Sequence, residues 1–567
     1  MKKILFLFAT LSILWSCEDF LDTESKTKKD TGNYPGTAYE ADQLLIGVYS
    51  ILGRPEPLGS SFMTSELMSD DRLGGGGEND LSCKAIDRFQ KSSENMFDNP
   101  WRAHYFGVFR SNFLISALDN VKWEKDEEDE RNAIEGEVRF LRAHFYFDLS
   151  RMFGEVPLVT NPEYENIPKA PAAETYALIA SDLKTAIEKL APVKFQDINK
   201  VTDLGRINRW AAEAMMARVF LFYTGYYQKE TLPLREGGEI TRQQVIEWLT
   251  DCIENSGHDL VQDFRNLWPY SYVQDYEYTA GNNLRWEGDG NIETVFAIKY
   301  STIGYNFDHP QQKSNQFCLY FGLRNQPGSF QYSFPYGQGW GMGTVNPVIW
   351  NEWDDNDPRK KGSILDANDR TEMRIYVKRG NSQMDETMYY QKKYMPINVW
   401  KDTNKKMVQN YSYELYNMGV NTDYMSNNTQ DLVLIRFADV LLMHAELTGG
   451  APIEKYGRNG LNQIRHRAGL ADIAWSLENL KKERRFELAF EGVRYYDLLR
   501  WHDWNVLTEN QTDIPVYNNT ELLETTSITF RPETGGFLPV PQNQIDLQDG
   551  VLTQNPGWEG TANYYTK

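Results

Sequence analysis

Cysteine is scarce in this chain: Cys17, Cys83, Cys252 and Cys318 are all there are. No two stand at CxxC spacing, and none of the seven histidines belongs to an HExxH pair, so no zinc-site motif is present. A GxSxG nucleophile elbow and a GxxxxGK phosphate loop are also missing, which removes two common enzyme signatures. Beyond the first two dozen residues no apolar run approaches the length of a bilayer-spanning helix. Basic charge is in deficit, with 59 Lys and Arg against 80 Asp and Glu and a formal net charge of −21. Such a surface repels phosphate backbones and argues against a nucleic-acid partner, while leaving neutral ligands unopposed.

What is present begins at the N-terminus. Lys2 and Lys3 precede an apolar run from Ile4 to Leu14, and Trp15-Ser16-Cys17 closes it with a small residue before a cysteine. The run is short of the ~20 residues a bilayer demands and fits the h-region of a secretory signal. The cysteine at the junction makes the pattern resemble a bacterial lipoprotein signal, with Cys17 as the lipidated first residue. An ordinary signal peptide with an incidental cysteine is the alternative. Removing residues 1–16 takes away Lys2 and Lys3 and no acid, which gives a mature charge of −23. Three cysteines then remain, so at most one bridge can join two of Cys83, Cys252 and Cys318.

The chain divides into five stretches: a signal peptide (1–16), a polar tether (17–37), a helical region (38–227), an irregular region (228–430) and a second helical region with an extended tail (431–567). Apolar residues recur at three- and four-residue steps from Trp101 to Ala117 and from Ile134 to Met152. Phe140, Ala143 and Phe147 widen the second stripe, so that helix is expected to be largely buried. Tyr176–Leu190 and Ile207–Tyr227 follow, and Ala211, Ala212, Ala214 and Ala217 would admit a close neighbour. The spacing allows antiparallel pairs of the tetratricopeptide kind. The irregular region is rich in Gly, Asn, Pro, Tyr and Trp, with short strand candidates such as Thr294–Ile298. Helices are expected again over Leu432–Leu447, Tyr456–Ala468 and Leu477–Trp501. Gly74 to Gly77 reads as a flexible surface loop.

Three blocks then combine. They are Arg139 to Leu149 continuing to Phe153-Gly154-Glu155-Val156-Pro157-Leu158; Leu434 to Glu446 with Leu461-Asn462-Gln463-Ile464-Arg465; and Glu483 to Trp501. With Cys17-Glu18-Asp19-Phe20-Leu21 at one end and Leu538-Pro539-Val540-Pro541 at the other, the chain resembles the SusD/RagB family of Bacteroidetes outer-membrane lipoproteins. The resemblance implies a mainly α fold: a tetratricopeptide-like helical platform with an irregular part carrying a few short strands. It implies a surface protein, lipid-anchored at Cys17 in the outer membrane, that captures an oligosaccharide or polysaccharide for a SusC-like TonB-dependent transporter. Glu18-Asp19 resembles the surface-export signal of such lipoproteins. The charges of the third block (Glu483, Arg484, Glu487, Arg494, Asp497) read as ion pairs holding the last helix to the platform, as do Arg139 and Arg142.

Saccharide binding asks for aromatic faces and a few polar groups. Two stretches supply both: Trp268 to Trp286, including Tyr272 and Asn283, and Tyr332 to Trp353, including Phe334, Tyr336 and Trp340. The site residues expected are Trp286, Trp340, Tyr336, Tyr272, Asn283, Asp71 and Arg72, with Trp340 exposed at the tip of a glycine-rich loop. No catalytic residue and no cofactor are expected. Asp354-Asp355-Asn356-Asp357 offers clustered hard oxygens for calcium, although a turn with solvated charges is the simpler reading. A carboxylate pair acting as a glycoside hydrolase and a structural transporter lid with little ligand affinity are the alternatives.

Overall fold

A computed structural model describes residues 34–54, 56–92, 95–163, 166–198, 205–301, 314–324, 333–373, 382–416, 425–519, 522–560 and 564–565. Cys17, Glu18-Asp19 and most of the tether lie outside the described residues, as does Tyr332. The described helices of seven residues or more are α1 (Ala38–Tyr49), α2 (Ser61–Leu67), α3 (Leu81–Asp87), α4 (Asp98–Ala117), α5 (Glu128–Phe153), α6 (Ala172–Lys189), α7 (Arg209–Tyr226), α8 (Arg242–Asn255), α9 (Phe437–Thr448), α10 (Gly460–Arg467), α11 (Leu477–Glu487) and α12 (Arg494–Arg500).

The platform is built from antiparallel neighbours. Between α4 and α5, Arg142 donates to Asn112 at 2.8 Å and His104 meets Asp148 at 3.4 Å. Gly107 lets the Phe145 ring approach the α4 backbone, where any side chain would collide with it. Between α5 and α6, Arg142 donates two hydrogen bonds of 2.7 Å to the buried Asp182, and Arg139 adds a third. Those arginines therefore act as structural pairs. From Gly136 to Phe153 α5 is buried at every position but Arg139, as its wide apolar face predicts. Between α6 and α7, Tyr176 packs on Tyr223 with ring centroids 4.9 Å apart. The four alanines of α7 are buried. The start of the stretch expected to be irregular is instead helical, and this α8 continues the succession by packing on α9, where Arg242 Nε donates to the Leu447 carbonyl at 2.6 Å.

Two helix expectations are corrected. Leu432–Leu447 starts as a strand: β2 (Leu432–Arg436) pairs antiparallel with β1 (Thr294–Ile298), and only from Phe437 does the chain coil. A short apolar run cannot be assigned by periodicity when its pairing strand is remote in sequence. The helix expected over Leu477–Trp501 breaks after Glu487, because Phe490 and Gly492 adopt φ of 65° and 73°. There the Gly492 N–H donates to Glu66 at 2.8 Å, and the Phe62 ring leaves no room for a Cβ. Gly74–Gly77 is likewise no surface loop. All four are buried, and the Gly343 N–H donates to the Gly74 carbonyl while Gly76 donates to that of Gly341. Every described sheet is two-stranded. Cys83, Cys252 and Cys318 are buried and unbridged.

The irregular region is fastened to the helices by buried charge. Glu487, wholly buried, accepts from Arg359 and Arg436 at 3.0 Å each and from Arg467. Arg436 also reaches Glu293 and Glu491, and Lys393 pairs with Glu491 at 2.6 Å. Burial alone would raise the Glu487 pKa, but Arg467, Arg436 and Arg359 together hold it well below the usual carboxylate range. Removing one partner of such a pair leaves uncompensated buried charge, so Glu487→Gln should cost about 3–5 kcal/mol in urea unfolding. A depressed folded-state pKa contributes stability that is present above the unfolded value and lost as pH falls. The urea midpoint should therefore drop as pH is lowered below about 4, and less steeply in Glu487→Gln.

Candidate functional site

Three groups of rings stand on the irregular region, all half-buried except Tyr411, which is buried. In the first, Phe334 stacks on Trp400 with centroids 4.5 Å apart and planes at 15°. Trp400 ends the strand Asn398–Trp400, which pairs with Val408–Asn410 and turns through Lys405. The pair walls a cleft of about 270 Å³. Asp275, Glu277, Arg370 and Lys405 edge it, and Lys405 reaches Asp275 at 2.6 Å. Tyr276 and Glu372, both 3% exposed, also line it. Behind them, the Tyr276 and Tyr336 hydroxyls meet at 2.9 Å, Tyr276 donates to Glu372 at 3.3 Å, and Lys392 pairs with Glu372. Burial raises both phenol pKa values, so these hydroxyls keep their protons.

In the second group Trp286 stands edge-on to Tyr411 (5.3 Å) and Tyr272 (6.3 Å), and Tyr272 donates to Glu414 at 3.0 Å. Asn283 is exposed nearby in sequence, in the turn after residues 277–281, at φ 55°. In the third, Trp340 lies against Tyr320 at 4.7 Å. The 394–411 segment touches all three: it carries Trp400 and Tyr411, and the Pro396 carbonyl accepts from Gly337 in the frame of Trp340.

The structure thus brings Tyr272 and Trp286 together and sets Trp340 apart, half-buried and not at a loop tip. The glycines beside Trp340 serve close backbone packing: Gly339 backs onto Gly322, and Gly341 onto Gly75. Tyr336 is wholly buried, and its contribution is the hydroxyl bond behind the cleft. Asp71 and Arg72 are buried as well, at 2% and 1% exposure. Asp71 accepts from Arg485 Nε at 2.8 Å. Arg72 pairs with Glu66 at 2.6 Å, donates to the Gly343 carbonyl and lies 3.8 Å over the Phe321 ring. Neither presents a side chain at the surface. Burial, and then the neighbouring Asp70 charge, push the Asp71 pKa up against the pull of Arg485.

Sequence reasoning missed Trp400 and Lys405. The available signal was weak: Asn398-Val399-Trp400 followed by the polar run Lys401 to Lys406 has the look of a hairpin. At the acidic stretch, Asp357 accepts from Arg359 and from Trp353 Nε1, Asp355 pairs with Lys360, and Asp354 accepts from Asn356. Among the described residues no group of three or more His, Cys, Asp or Glu could hold a metal ion.

A family model described as "SusD family" matches residues 267–558, just over half of the chain. The chain belongs to the SusD family. A second model, "Starch-binding associating with outer membrane", matches residues 19–221 of this SusD-family protein. A SusD-like protein of Bacteroides ovatus is 23% identical over 518 residues, 88% of this chain and 83% of that protein. Among solved structures, surface glycan-binding protein A from Bacteroides fluxus superposes with a TM-score of 0.71 at 24% identity, covering 92% of this chain and all of that one. Surface glycan-binding protein A from Bacteroides thetaiotaomicron, in complex with laminarihexaose, gives 0.68 at 21%, covering 92% and 99%. These likenesses establish the mainly helical SusD-like fold. No described helix is long and apolar enough to cross a membrane.

Tyr336→Phe separates a packing role from a contact role. It removes one buried hydroxyl bond and should cost about 1 kcal/mol in urea unfolding. Saccharide retention on an affinity gel should stay unchanged, because the ring never reaches solvent.

Proposed function

We propose that the protein is a surface lipoprotein, anchored at Cys17, that captures a saccharide in the Phe334–Trp400 cleft and passes it to a SusC-like TonB-dependent transporter without altering it. The cleft carries the proposal. Aromatic rings offer apolar faces to the C–H side of a pyranose, and Asp275, Glu277, Arg370 and Lys405 offer donors and acceptors for hydroxyls. The rings rest on buried polar groups, so little has to be ordered on binding. The Tyr272–Trp286 pair, backed by the buried Tyr411 ring of the 394–411 segment, would extend contact to a longer chain. Family membership supports the same reading, as does the relative in complex with laminarihexaose. The outer-membrane placement draws on the Cys17 junction and on the matching family's description.

Laminarihexaose is the first probe of a glycan panel measured by calorimetry. Trp400→Ala should weaken binding of whichever glycan the protein takes by at least about tenfold, roughly the 1.4 kcal/mol that a stacking ring supplies. Trp286→Ala should weaken it less, and only for longer chains. Full affinity in the double variant Phe334→Ala, Trp400→Ala would remove the cleft from the site. Pure protein should release no reducing ends; release would favour a hydrolase built on the cleft carboxylates. Cys17→Ala should free the protein from the membrane fraction with its glycan affinity intact.

A further inference from the structure

The Phe334–Trp400 cleft has a buried carboxylate in its floor, that of Glu372. The backbone there is fixed by a tight turn. The Glu372 and Met373 N–H groups donate to the Asp369 carbonyl at 3.1 and 3.0 Å, and Asp369 Oδ1 accepts from Thr371 Oγ1 at 2.7 Å. Lys361 holds the second carboxylate oxygen of Asp369 at 3.0 Å.

The two oxygens of Glu372 are used unequally. Oε2 accepts from the Tyr276 hydroxyl at 3.3 Å and pairs with Lys392. Both contacts run inward. The Tyr276 hydroxyl continues to the buried Tyr336. Lys392 is wholly buried, donates to the Lys361 carbonyl at 2.7 Å and sits 4.2 Å over the Tyr278 ring. Among the described residues no hydrogen bond reaches Oε1. The oxygens of a carboxylate diverge, so with Oε2 turned inward Oε1 is the one left to the cleft. Burial pushes the Glu372 carboxyl up and the Lys392 ammonium pulls it back. An acceptor held in such a place without a donor carries a desolvation cost until one arrives. The lining adds to the demand for donors: Asp275, Glu277 and Glu372 stand against Arg370 and Lys405, and Lys405 is engaged by Asp275.

Resting on the saccharide cleft proposed above, we infer that Glu372 Oε1 accepts from a hydroxyl of the bound sugar and makes the cleft selective for neutral over acidic saccharides. A hydroxyl donates to a carboxylate in a short, charge-assisted bond. A uronate carboxylate or a sulfate ester in that position has no proton to give and brings like charge beside a buried one. Lys392 compensates Glu372 from behind without reaching the ligand, so it is a positioning residue.

Calorimetry on the full-length protein at neutral pH tests this with pairs that share one backbone. Cellohexaose is compared with its C6-oxidised glucuronate form and mannohexaose with hexamannuronate, with laminarihexaose as a further neutral probe. A neutral hexaose should bind at least about tenfold more tightly than its uronate counterpart. Glu372→Gln keeps the shape and loses the charge, so it should weaken the neutral hexaose about fivefold and narrow that ratio. A purely structural role would weaken both ligands alike. Tyr336→Phe disturbs the same hydroxyl chain without touching Oε1 and should leave the ratio as it is. If Glu372→Gln fails to fold, the ratio in the unmodified protein still decides. A uronate bound as tightly as its neutral counterpart, or a ratio unchanged in Glu372→Gln, overturns the inference and leaves the cleft standing. Neutral binding that survives the double variant Phe334→Ala, Trp400→Ala, or no binding by any hexaose, overturns the cleft and this inference with it.

Discussion

Glu487 is the point on which the two parts of the molecule depend. One carboxylate at the end of α11 accepts from Arg359 of the irregular region, from Arg436 at the junction of β2 and α9, and from Arg467 at the end of α10. Arg359 is itself held by Asp357 and Glu483, and Arg436 by Glu293 and Glu491. Isolated charges in such a place would cost many kcal/mol in solvation. They are tolerated because nearly every lone pair and proton finds a partner. The arrangement is demanding in geometry, and that is its use: loops with little apolar periodicity of their own are fixed in one position against the helices.

Glycine provides the second fastening. Gly74–Gly77 and Gly337–Gly343 bring two backbones together where side chains would keep them apart, and Arg72 crosses that seam to the Gly343 carbonyl. The loops beyond are then short and supported from beneath. The Phe334–Trp400 pair gains its rigidity from the hairpin behind it and from the Tyr276–Tyr336–Glu372–Lys392 chain below. Binding surfaces on loops commonly sit on a scaffold of this sort. Charge therefore appears in two settings, spent on architecture in the interior and left at the rim of the cleft.

The helical platform was legible from residue order. The stripes of α4, α5, α6 and α7 are dense and regular, and each helix lies close to its expected bounds. The site was legible only in part. Tyr272 and Trp286 do come together, because they are neighbours in sequence and share one turn-rich stretch. Asp71 and Arg72 resemble exposed loop residues until Arg485 and Glu66, remote in the chain, are placed beside them. Trp400 drew no notice because its partner Phe334 is far off in sequence and no periodicity links the two.

By itself, the sequence determined where apolar faces recur, and with them the helices α4 to α7 and their order. Those features depend on neighbours three or four residues apart or on one contiguous segment. Only the tertiary structure decided which aromatic rings face solvent, which charges are buried, and where β2 replaces a helix. Each of those turns on a partner remote in the chain, by some 60 residues for Phe334 and Trp400 and by more than 400 for Arg485 and Asp71 or Glu66 and Gly492. A local pattern carries no information about whether so distant a group will arrive.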